Sequence, residues 1–242
     1  MDHHDEIDDA RRSLLIKMLT ASTLAASGMA KPALAEGLFG SVPDKLPPGR
    51  SIYSLEGSVE VNGKQATLGT QIGPGDTVQT GSHSNAIFVV GGHAMILRSD
   101  SHLVMEAEEQ NLAIRLLRLI NGKILSVSRD TQYKIRTPTA TIGIRGTGTY
   151  TEADAEQTYF CTCYGTTEIS ANNDAASRES VVSKHHDKPL YILSGEAAGR
   201  NIRSAPFVNH TDQELMLIEA LLGRTPPFVF PDDKYTMPRR KY

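Results

Sequence analysis

The residues predict a mainly β body of short strands, a sandwich or roll, with one helix near its C-terminal end. Three observations carry this reading: apolar residues fall in short alternating bursts, glycine-containing turn signals separate the bursts, and only one capped helical pattern follows them.

In chain order, Leu55, Val59 and Val61 alternate before Asn62-Gly63, a dipeptide suited to a two-residue hairpin because both residue types tolerate positive φ. Gly69, Gly73 and Gly75 punctuate the chain before the next strand, Thr77-Val78-Gln79-Thr80. Ala86 to Val90 and Ala94 to Leu97 form a second hairpin through Gly91-Gly92-His93, and His102 to Met105 adds a short strand. The stretch Asn111 to Ile120 fits either a helix face or a strand. Asn121-Gly122 ahead of Lys123 to Val127 tips the reading toward two strands joined by a hairpin turn. Tyr133 to Arg136 ends at Thr137-Pro138, where proline suits a strand end. Further strands are expected at Gly148 to Glu152, Thr158 to Tyr164, Thr167 to Ser170, Val181 to Ser183 and Pro189 to Leu193.

Thr211-Asp212-Gln213-Glu214 reads as a capping box ahead of Leu215, Leu217, Ile218, Leu221 and Leu222, with Gly223 as the stop. A helix of about three turns cannot stand alone, so Asp212 to Leu222 should pack on the β body or on a partner. The segment after it, residues 231–242, reads as a flexible, solubilising tail.

The N-terminus has the layout of a twin-arginine export signal. Arg11-Arg12 precedes a modest apolar stretch, and Ala33-Leu34-Ala35 supplies a small-x-small cleavage site. Cleavage after Ala35 would start the mature chain at Glu36 and leave it in the periplasm without a stable membrane span. The formal charge of the whole chain is -3, with no basic block, which argues against a nucleic-acid partner.

Candidate chemistry centres on the chain's 2 cysteines, Cys161 and Cys163 in Cys161-Thr162-Cys163. On a strand both face one way, because the side-chain period is two. An oxidising compartment favours a disulfide, although an extended strand holds the α-carbons near the limit of bridge geometry. With His185-His186 the pair also makes a reasonable zinc or copper set, two thiolates and one or two imidazoles. Against that, adjacent histidines on a strand point to opposite faces, and residues 184–188 equally suit a polar turn. Buried inert thiols or pairing with another chain stay open beside these readings. His83, His93, His102 and His210 are expected to be surface or hydrogen-bonding residues, His210 having the alternative of packing between helix and sheet.

Gly143-Ile144-Arg145-Gly146-Thr147-Gly148 lacks the lysine and the following helix of a phosphate loop. It is read as a tight β crossing that uses glycine for close backbone approach. No nucleophile elbow, His-Glu-x-x-His helix or paired-carboxylate arrangement is present, so no catalytic residues and no enzyme activity are expected.

Gly57 to Val61, Gly69 to Thr80, Ser84 to Leu97, Gly122-Lys123-Ile124 and Arg136 through Gly146-Thr147 together resemble the FecR domain of bacterial periplasmic proteins, over about Ile52 to Ser170. The resemblance implies a mainly β periplasmic module. In the family's founding members that module senses a loaded outer-membrane receptor and relays its state to a sigma factor. Those members place a cytoplasmic part and a single span before the domain, whereas here an export-type signal precedes it directly. A lone exported domain is therefore expected to act as a non-catalytic interaction module for a protein or an envelope polymer. The alternative is a metal-binding or thiol-redox protein using Cys161, Cys163, His185 and His186. The corresponding organisation is a signal at 1–35, a linker at 36–50, a FecR-like β domain with extra strands at 51–204, a helical appendage at 205–230 and the tail.

Overall fold

The computed structural model describes residues 43–108, 113–129, 132–195 and 198–228. The export-type segment, residues 36–42 of the linker and the tail lie outside the described residues.

The strands run in order β1 (Ile52–Glu56), β2 (Val59–Val61), β3 (Lys64–Gln65), β4 (Thr77–Thr80), β5 (Asn85–Val90), β6 (His93–Leu97) and β7 (His102–Ala107). They continue as β8 (Ile114–Ser128), β9 (Gln132–Arg136), β10 (Ala140–Ala153), β11 (Gln157–Ala171), β12 (Asp174–Ser183), β13 (Leu190–Leu193) and β14 (Ile202–Ser204), and the helix α1 (Asp212–Leu221) follows. The mainly β class with one C-terminal helix is what the sequence predicts.

The main path of the sheet is β14-β13-β11-β10-β9-β8-β7-β4-β2-β3, with β12 on β11 and the β1-β5-β6 group joined through β6 to β8. Long strands make this branching possible. The first part of β8 pairs with β7 and, in parallel, with β9. Its second part pairs with β6 and with the end of β10. The strand therefore serves two sets of neighbours and rolls the sheet over a shared core that includes Ile52, Phe88, Met95, Leu117, Ile142 and Phe160. Each large side chain fully buried there contributes about 1.5–3 kcal/mol.

One expectation changes at the glycines and one holds. Asn121-Gly122 makes no hairpin turn but lies inside β8, where the pairing with β7 slips by a residue. Gly122 has φ 98°, and a Cβ on it would lie 2.4 Å from the Ser101 Cα, so the dipeptide serves a bulge. Its positive-φ tolerance suits a bulge as well as a turn, and pairing with β6 and β10 decides between them. Gly148 behaves as read: it sits inside β10 at register shifts, and a Cβ there would come 2.5 Å from the Tyr164 ring.

His93 is a buried residue at 3% exposure, contrary to the surface reading. Its ring meets Tyr133 edge-on at 4.8 Å, and its Nδ1 has no hydrogen-bond partner. Burial, reinforced by the Arg224 cation, pushes its pKa down to about 4. The unfolded chain, with an ordinary value near 6.5, then binds the extra proton between these limits, so stability is full above pH of about 6.5 and falls toward about 4. The loss expected from this group is about 3 kcal/mol. His93→Phe should remove that component: the stability gap between wild type and variant should shift by about that amount between pH 7 and pH 4 in chemical unfolding. A gap independent of pH would contradict the assignment.

The capping box forms as predicted: Thr211 caps the helix, its side chain accepts from the Glu214 N–H, and Glu214 accepts from the Thr211 N–H. Leu215, Ile218 and Leu221 are buried, and α1 packs on β6 and β8. The position of the helix start brings the residues around the cap against β10 and β11.

Candidate functional site

Cys161 and Cys163 lie on β11, both fully buried. No disulfide joins them, and the Cys163 Sγ lies 3.9 Å from the Cys161 carbonyl oxygen. The turn between β12 and β13 is tied beside them, since the His186 N–H donates to the Cys163 carbonyl at 2.9 Å. Asp187 shapes that turn by accepting from the Lys184 N–H at 2.7 Å.

His186 has φ 53°, which breaks the strand alternation assumed from the sequence. Both adjacent rings therefore reach one carboxylate. His185 Nε2 lies 2.9 Å, and His186 Nε2 3.0 Å, from Asp212 Oδ1. They then part company. His186 turns its Nδ1 inward to 3.4 Å from the Cys161 Sγ, whereas the His185 side chain remains 39% exposed on the outer side of Asp212.

His210, which the sequence reading left outside the site, completes the inner cluster. It is 3% exposed, stacks on Tyr150 at 4.5 Å between centroids, and places its Nε2 3.1 Å from His186 Nδ1. Its other nitrogen lies 2.8 Å from the Val208 carbonyl oxygen. Phe207 covers both imidazoles, with ring centroids 4.5 Å from His186 and 4.6 Å from His210. Cys161, Cys163, His186 and His210 thus offer four donor atoms all within 4.8 Å of one another, and His185, His186 and Asp212 form a second, overlapping group.

The segment carrying His210 is held by a charged network. Arg98 donates to Glu214 Oε1 at 2.8 Å and to the Asn209 carbonyl at 3.0 Å, with its guanidinium 5.5 Å from the Tyr150 ring centre. Asn209 and Tyr150 both donate to Glu152, at 2.6 and 2.7 Å. Asp212 sits in the first turn of α1, where the helix dipole favours a carboxylate. Its Oδ2 is buried without a hydrogen-bond partner.

Electrostatics follow from this packing. Burial raises the Cys161 thiol, but hydrogen bonds with Cys163, His186 and His210 outweigh it and hold the thiol well below its usual range. Cys163 goes the other way, raised by burial and by Cys161. Burial lowers His186, yet Asp212 and Cys161 more than reverse that, and its pKa is pushed up to about 9. Asp212, although burial raises it, is held low by His186 and His185. A set of two sulfurs and two imidazoles suits a soft or borderline metal ion such as Zn²⁺ or Cu⁺, and the sulfurs could alternatively be oxidised.

The profile of the FecR protein family matches residues 76–168, from the start of β4 into β11. The chain carries a FecR-like domain, and domains of this kind are non-catalytic interaction modules, typically periplasmic. Cys161 and Cys163 fall inside the matched region, whereas His186 and His210 fall beyond it. Two crystal structures of a candidate anti-sigma factor from Parabacteroides distasonis are similar to this chain, each with a TM-score of 0.42, at 12% and 13% identity. Each alignment covers 53% of this chain and 58% of that one, so the chain spans less than two thirds of that protein's length. No curated protein matches the chain.

Proposed function

We propose that the chain is a non-catalytic interaction module of the bacterial periplasm that binds a protein or an envelope polymer in envelope sensing or signalling. The observation that carries the reading is the FecR match running through β4 to β11. Two features support it. The cluster around Cys161 is sealed by buried side chains, an arrangement suited to holding structure rather than to turning over a substrate. The β12 strand, whose ladder partner is β11, presents Val182 at 75% exposure and can recruit an extended segment along its edge.

Photo-crosslinking residues placed at Val182, Leu68 and Ile120 of the full chain, expressed with its own N-terminus, test this. A discrete adduct with an envelope protein, or retention of the chain on isolated peptidoglycan, is expected. Absence of both at all three positions would count against the reading. A second reading, metal or thiol-redox chemistry, is favoured by the 3.4 Å approach of His186 to Cys161.

A further inference from the structure

We infer that Cys161, Cys163, His186 and His210 form a closed four-coordinate site for a divalent, zinc-like ion that fastens the segment before α1 to the sheet. The Val208 carbonyl only accepts, so His210 carries its proton on Nδ1, and Asp212 likewise fixes the proton of His186 on Nε2. Each imidazole then turns its remaining nitrogen toward the other at 3.1 Å, with the Cys161 sulfur 3.4 Å from one of them. In neutral rings these are two lone pairs in contact, an arrangement that needs a positive charge between them. One proton can bridge one pair of donors, whereas a metal ion serves all four.

Dimensions and charge narrow the ion. With bonds of about 2.3 Å to sulfur and about 2.0 Å to nitrogen, a tetrahedral ion separates its nitrogens by about 3.3 Å and a sulfur from a nitrogen by about 3.5 Å. The observed separations of 3.1 and 3.4 Å already lie near those values. Two thiolates neutralise a divalent cation, while Cu⁺ would leave a net negative charge buried beside the Asp212 carboxylate. Asp212 and the Val208 carbonyl occupy the outer positions that orient metal-bound imidazoles. With all four ligand residues buried, the site has no open position, which marks a structural site. Its ligands come from β11, from the β12–β13 turn and from the residue ahead of the helix cap, so one ion joins the FecR-matched region to the C-terminal segment. His185 is an outer partner of Asp212 and not a ligand.

The test uses the full chain isolated from the periplasm, compared by native and denaturing mass, followed by Co²⁺ titration of the metal-stripped protein. One Zn²⁺ lost on denaturation is expected, and one Co²⁺ should give the thiolate charge-transfer and tetrahedral ligand-field absorption. His210→Ala and Cys161→Ser/Cys163→Ser should weaken Co²⁺ binding beyond the roughly 10–100-fold expected for the outer-shell change Asp212→Asn. His185→Ala should stay within a few-fold of wild type, and circular dichroism checks that each variant is folded. No bound ion in the wild-type chain, an unchanged affinity in His210→Ala, or a chain about two mass units light that takes up no Co²⁺ after reduction would overturn the assignment.

Discussion

Saturating zinc should raise the unfolding midpoint of the metal-stripped chain by about 8–16 °C. An ion that binds only the folded state at about a thousand times its dissociation constant adds about 4 kcal/mol, and a domain of this size moves about 2–4 °C per kcal/mol. Differential scanning calorimetry with and without zinc measures the shift. Loss of His210 should abolish most of it, because the remaining ligands then come only from β11 and the adjoining turn. His185→Ala should keep most of it, since His185 offers no atom to the four-donor group and meets the site only from outside, through Asp212 and an edge-on ring contact with His186. A shift below about 2 °C in the wild-type chain would separate the ion from fold stability.

The second large effect lies at the other end of α1. Glu219 is fully buried and accepts from Tyr164, while Arg129 lies 3.2 Å from its Oε1 and Arg224 2.7 Å from its Oε2. A carboxylate in the last turn of a helix opposes the helix dipole, so the two guanidiniums are what make the position tenable. Burial, then Glu219, raises the Tyr164 phenol well above its usual range, which keeps it a donor to the carboxylate. Glu219→Ala should destabilise the chain by about 3–5 kcal/mol, because it strands two partly buried cations and a buried hydroxyl. The unfolding midpoint should fall by about 6–20 °C. A change within about 1 kcal/mol would mean that the arginines find other partners at little cost.

The strands and the helix were legible because they rest on local signals: Thr77 to Thr80 becomes β4, and Thr211 with Glu214 sets the helix start. Asn121-Gly122 misled because its backbone tolerance serves bulges as well as turns, and only long-range pairing with β6 and β10 chooses. The site was half legible. Cys161, Cys163 and His186 come together as their residue types suggest, but the meeting of His185 and His186 on one carboxylate depends on the positive φ at His186. His210 was missed because it is distant in sequence from the cysteines, and only the docking of α1 brings it to them. The usable signal was positional: a histidine directly before a helix cap, followed by an acid in the first turn, marks groups carried wherever that helix end docks.

Zinc-edge X-ray absorption of the metal-loaded full chain reports the ligands directly. The account predicts two sulfurs at about 2.3 Å and two imidazole nitrogens at about 2.0 Å. A shell of nitrogen and oxygen alone would contradict it, by placing the ion on His185, His186 and Asp212 and leaving both thiols out.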